Sequence, residues 1–142
     1  MISGIRIRDA SAEDALQIEA LMSTYSLGID GVSMDDFVVA EKEGRIIGAA
    51  AITTENFPEV HSIAVHPDHK AKGLGSALFE YLLARLGDVG AVYVRTTSPV
   101  FFEKLGFKEL EASAKAELWG DCAKCNKLNR CRQSVLCLQR SD

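Results

Sequence analysis

Ile5 and Ile7 alternate with Arg6 and Arg8, the two-residue period of a strand with one buried face. Ser11-Ala12-Glu13-Asp14 then carries a capping-box pattern. Ala15, Ile18, Leu21 and Met22 follow at three- and four-residue steps, which predicts a helix lying with one face on a sheet. From Ser23 to Ser33 the periodicity lapses and Gly28 and Gly31 break it, so a loop is expected, with a short helix begun by Ser33. Two apolar runs, 37–40 and 46–52, flank Glu43-Gly44 and read as an antiparallel hairpin. Asn56-Phe57-Pro58 turns the chain into a strand over 60–65, which His66-Pro67-Asp68 ends because proline has no ladder donor. Leu74, Leu78, Leu82 and Leu86, with Ala77 and Tyr81 beside them, form an amphipathic helix that Gly87 can close. Residues 91–94 make the fifth strand, Pro99 opens a short helix through Lys104, Phe107 starts another strand, and 134–139 completes the sheet. This order implies an α/β (α+β) fold: a mixed, mostly antiparallel central sheet of six or seven strands with helices on both faces.

A chain of 142 residues with 47% hydrophobic and 25% charged residues suits one soluble globular domain. The expectation is a single domain over 1–142, with the segment 119–142 part of it. No apolar run approaches the roughly 20 residues of a spanning helix, and the alternating start does not resemble a signal peptide. The reading is therefore cytoplasmic, without membrane partners. A net charge of -4 and a pI near 5.4 argue against nucleic acid, whose binders carry surplus Lys and Arg. Any anion site has to be local.

One stretch offers such a site. Residues 63–77 run strand, tight loop, helix, with Gly73 and Gly75 where the helix begins and Lys70 and Lys72 just before it. Glycines let backbone approach a ligand closely, and the free amides and positive dipole end of a helix attract a diphosphate. Taken alone, Gly-x-Gly is often only a turn or a helix start. Lys70-Ala71-Lys72-Gly73-Leu74-Gly75, however, resembles the Arg/Gln-x-x-Gly-x-Gly/Ala signature of the GNAT acetyltransferases, with Lys70 in place of the usual Arg or Gln. About thirty residues on, Phe101-Phe102-Glu103-Lys104-Leu105-Gly106-Phe107 resembles the second signature of the same family.

That resemblance implies the acyl-CoA N-acyltransferase fold and acetyl-CoA as co-substrate. It implies a diphosphate held by Lys70, Ala71, Lys72, Gly73, Leu74, Gly75 and Ser76, and a pantetheine arm paired with the strand backbone of Ile63, Ala64 and Val65 where strands four and five splay apart. Phe102 stands where many relatives carry Tyr; it has no proton to give and belongs to cofactor packing or to the core. Glu59 matches the glutamate that serves several members as general base. Glu59 is the leading base; on the residues themselves the alternative is a solvated carboxylate at a strand edge. His61 shares its face by alternation, as reserve base or as a surface histidine. Ser98 or water is left to protonate the thiolate, and Tyr81 and Tyr93 sit at apolar spacings that favour the core. No metal is needed for the chemistry.

Residues 59–67 and the tail Trp119-Gly120-Asp121-Cys122-Ala123-Lys124-Cys125 with Cys131 resemble short amino-acid acetyltransferases of the N-acetylglutamate synthase type, which points to a small-molecule amine, an amino acid among them, as acceptor. Residues 26–32 do not reproduce the Leu-Pro-Arg-Ser-like substrate loop associated with those enzymes. A protein N-terminal or lysine acetyltransferase and a non-catalytic acetyl-CoA-binding module are the alternatives, and a homodimer is allowed. All four cysteines lie beyond Asp121. Cys122, Cys125 and Cys131 have zinc-compatible spacing, but a structural site wants four ligands, and Cys137 alternates into the last strand as a small hydrophobe. Packing is the favoured reading.

Overall fold

In a computed structural model, residues 4–29, 32–70, 72–111, 113–119 and 133–139 are described. They group into two compact units, Met1–Glu55 with Val60–Asp88, and Asn56–Glu59 with Val89–Asp142.

The first unit is built around the expected hairpin. Glu43 and Gly44 both adopt positive φ, +52° and +80°, and Lys42 faces Arg45 across them. This is the two-residue turn whose twist matches paired strands. It joins β2 (Phe37–Lys42) to β3 (Arg45–Thr53), with a bulge at Ala40/Glu41. β1 (Ile5–Asp9) pairs antiparallel with β2, and β4 (Glu59–Val65) follows β3 in the order β1-β2-β3-β4.

The interior of β3 is buried from both sides. α1 (Ala15–Thr24) lays Ile18, Leu21 and Met22 against Phe37, Val39, Ala49 and Ala51. α2 (Leu74–Leu86) occupies the opposite face, where alternation turns Ala40 and Gly48. A Cβ on Gly48 would stand 3.0 Å from Leu78 Cδ1 and 3.4 Å from Leu74 Cδ2, so the bare backbone lets α2 seat closely. Arg85 of α2 reaches Asp9 Oδ1 at 3.0 Å and Asp36 O at 3.0 Å, and Tyr81 donates to the same Asp9 carboxylate.

Asp14 knots the start of α1 to the sheet. Its carboxylate accepts from the Ser11 amide at 2.8 Å and from both Nη atoms of Arg8 at 2.8 and 3.1 Å, while Arg8 Nε donates to Glu41. The Arg8 hydrogen bonds hold the Asp14 carboxyl down at about 2 and raise the guanidinium in turn.

The second unit holds β5 (Ala91–Thr96), α3 (Pro99–Lys104), β6 (Lys108–Glu109), α4 (Ala114–Leu118) and β7 (Ser134–Gln139), its strands ordered β5-β7-β6 and antiparallel. Glu59, the first residue of β4, belongs here and lies in parallel register with Tyr93, whose amide donates to Pro58 O at 2.9 Å.

Seven strands are thus present among the described residues, with antiparallel pairs predominating, as the periodicity implied. Two details differ. The strand expected from Phe107 begins at Lys108, because the Phe107 amide is spent on Phe102 O at the end of α3. α4 was not anticipated, since five residues show too little of a 3.6-residue period to register. Among the described residues, no helix is long and apolar enough to cross a membrane.

Candidate functional site

Two groups of residues carry the candidate chemistry, one in each unit. In the first, β4 ends at Val65 and His66-Pro67 opens a single 3-10 turn, Pro67–His69, whose Asp68 amide bonds His66 Nδ1 at 3.2 Å. The chain then enters α2 through Gly73, which takes φ +79° as its N-cap. Only glycine holds that conformation at no steric cost. The first helical bond runs from the Ala77 amide to Gly73 O, so the amides of Leu74, Gly75 and Ser76 are those a helix start leaves for an incoming acceptor.

Lys70 and Lys72 are exposed beside this turn. Burial lowers the His69 pKa, with Lys72, Lys42 and His66 lowering it further and Asp68 opposing them. Lys70 Nζ lies 4.4 Å from the centroid of the Tyr25 ring. Ala71 lies outside the described residues.

Along β4, Val60, Ser62 and Ala64 are buried while Glu59, His61, Ile63 and Val65 face the other way, part-exposed or exposed. Alternation thus puts Glu59 and His61 on one face, as expected. His61 is exposed and its Nδ1 sits 2.8 Å from Ser62 Oγ.

In the second unit Glu59 has company that sequence reading did not foresee. Arg95 Nε stands 3.7 Å from Glu59 Oε2, with the two side chains 24% and 17% exposed. The guanidinium lies over Trp119, 4.9 Å from the ring centroid. Phe57 meets Tyr93 edge-on at 5.4 Å and Trp119 at 5.3 Å, and Trp119 packs with Val135. Among the described residues, the buried Trp119 indole N–H finds no hydrogen-bond partner. Tyr93 and Cys137 are cross-strand partners; burial raises both of their pKa values, and their mutual hydrogen bond raises that of Tyr93 further.

Arg95 and Trp119 left faint signals. Arg95 puts a charge on the half-exposed face of an otherwise apolar strand, and Trp119 is the only tryptophan in the chain. Neither is legible as a pair, because their approach depends on tertiary packing.

Ser98, exposed, precedes α3, and its amide donates to Thr96 Oγ1 at 2.9 Å. Phe102 is 3% exposed and meets Phe101 and Phe107 edge-on at 5.0 and 5.4 Å, the surroundings of a core residue. Cys122, Cys125 and Cys131 lie outside the described residues; Cys137 is buried, with Gln139 Nε2 3.6 Å from its sulfur.

Comparison with known proteins gives these features a context. Residues 33–109 match the acetyltransferase (GNAT) domain profile. An uncharacterised N-acetyltransferase of Chlorobaculum tepidum is 32% identical over 95% of this chain and 93% of its own length. An amino-acid acetyltransferase of Vibrio vulnificus is 34% identical over 54% of this chain, a stretch that spans 19% of that relative. The N-acetylglutamate synthase of Neisseria gonorrhoeae, solved with coenzyme A and N-acetyl-glutamate, superposes with a TM-score of 0.77 at 21% identity, covering all of this chain and 36% of that one.

Proposed function

We propose that this chain, which belongs to the GNAT acetyltransferase family and acts as an acetyl-CoA-dependent N-acetyltransferase, takes the amine of a free amino acid as its acceptor. The observation that carries this reading is the Glu59–Arg95 pair. An α-amino acid bears an ammonium and a carboxylate on one carbon, and a carboxylate beside a guanidinium offers the complementary charges side by side. The names of the Vibrio and Neisseria relatives support the same substrate class.

In this reading the coenzyme diphosphate rests on the amides of Leu74, Gly75 and Ser76, with Lys70 and Lys72 adding charge, and the pantetheine arm runs along Ile63, Ala64 and Val65. Glu59, at the opening of the same strand, takes the proton from the acceptor. A peptide-like α-amine with a pKa of ~8 costs only about 1 to 1.5 kcal/mol to deprotonate at neutral pH, against roughly 4 to 5 kcal/mol for a lysine-type amine at ~10.4, and the α-ammonium of a free amino acid, steadied by its own carboxylate, falls between the two. A partly exposed carboxylate working through water therefore suits an amino-acid acceptor better than a lysine side chain. His61 stands in reserve on the same face. The neutral amine attacks the thioester carbonyl, the tetrahedral oxyanion meets a strand amide, and the departing thiolate is protonated by Ser98 or solvent. Phe102 contributes packing only.

Thiol release from acetyl-CoA across free amino acids, short peptides and lysine-bearing peptides tests the proposal. Turnover confined to free amino acids is the expected result. Preference for peptides would replace it with protein acetylation, and coenzyme binding without turnover on any amine would replace it with a binding module.

A further inference from the structure

The catalytic reading assigns nothing to Tyr25, yet this residue is held at four points, one through its backbone and three through its side chain. It caps the end of α1, where its amide donates to Met22 O. Its ring packs against the core of Ile18, Leu21 and Met22. Its hydroxyl donates to Val65 O, the last carbonyl of β4, at 2.5 Å. The open face of the ring carries the Lys70 ammonium at 4.4 Å. Val65 and Lys70 bracket the turn that leads from β4 towards α2, so one rigid aromatic touches both of its ends.

We propose that Tyr25 is a cofactor-positioning residue, which preorganises the diphosphate turn by anchoring Val65 through its hydroxyl and seating the Lys70 ammonium on its ring. The proposal rests on the reading that residues 70–76 hold the coenzyme diphosphate. A lysine ammonium on four rotatable carbons loses rotamer freedom when it meets an anion. A lysine already held on an aromatic face has surrendered part of that freedom before the ligand arrives, and a backbone anchored beside it does not have to be ordered on binding. Tyr25 acts through Lys70 and Val65, not by touching the reacting atoms.

The test is calorimetric titration of the full chain with coenzyme A, which needs no acceptor, on the wild type, Tyr25→Leu, Tyr25→Phe, Lys70→Ala and the Leu/Ala double variant, each with its melting temperature. Tyr25→Leu is expected to raise the coenzyme Kd about tenfold, and Tyr25→Phe, which keeps the ring but loses the bond to Val65, about threefold. Lys70→Ala should cost less in the Tyr25→Leu background than in the wild type, because the two residues act together. In turnover assays the KM for acetyl-CoA should rise and that for the amine stay put. Wild-type affinity in folded Tyr25→Leu, full additivity, or a rise confined to the amine KM would each overturn the proposal. If Tyr25→Leu does not fold, the same criteria pass to Tyr25→Phe, with wild-type affinity again the overturning result. A wild type that binds no coenzyme would instead remove the diphosphate reading beneath it.

Discussion

The turn into α2 and the cluster around Glu59 are built by opposite means. The first is made of backbone: a glycine at φ +79°, three helix-start amides and a proline that ends the strand. Its side chains, Lys70 and Lys72, stand exposed beside that backbone. The second is made of side chains. Glu59, Arg95, Trp119, Phe57 and Tyr93 come from β4, β5 and the segments beside them, and each is held by a partner that is distant in sequence. A site made of backbone leaves a compact motif in the sequence, whereas a site made of side chains leaves scattered residues.

The contrast breaks most sharply at Glu59. Glu59→Gln should lower kcat/KM for the acceptor at neutral pH by about a hundredfold or more and leave the coenzyme Kd within about twofold. Stopped assays across pH check it, the loss shrinking as alkaline pH frees the amine without help. Next comes Gly73→Val, which forces a β-branched residue into left-handed backbone at a cost of about 1 to 2 kcal/mol. Coenzyme affinity should fall tenfold or more by titration, with the circular dichroism of the folded chain preserved. Arg95→Gln should raise the acceptor KM about tenfold for a free amino acid and much less for its carboxamide. Equal losses on both would make Arg95 a support for Glu59 alone.

The smallest effect lies away from both places. The Asp14 carboxyl titrates at about 2 in the folded chain against 3.8 ordinarily. Its ion pair therefore contributes in full above pH 4 and is lost as pH falls towards 2. Denaturant unfolding should show about 2 kcal/mol of stability disappearing over that window in the wild type and not in Asp14→Asn.

Much of this molecule was legible in its sequence, for physical reasons that also mark where reading stopped. The hairpin at Glu43-Gly44, the face of α2 and the alternation that pairs Glu59 with His61 are local patterns, set by turn chemistry and by periods of two and 3.6 residues. Arg95 meeting Trp119, or Tyr25 meeting Lys70, is set by packing between elements far apart in the chain, which no window of sequence contains. α4 escaped notice through brevity, and Phe107 through an amide already committed to α3.

Amide chemical shifts followed during titration with coenzyme A test the central claim most directly. The account predicts that the amides of Leu74, Gly75 and Ser76 move furthest, saturating with the coenzyme. Saturable binding that leaves those three amides unmoved would contradict it.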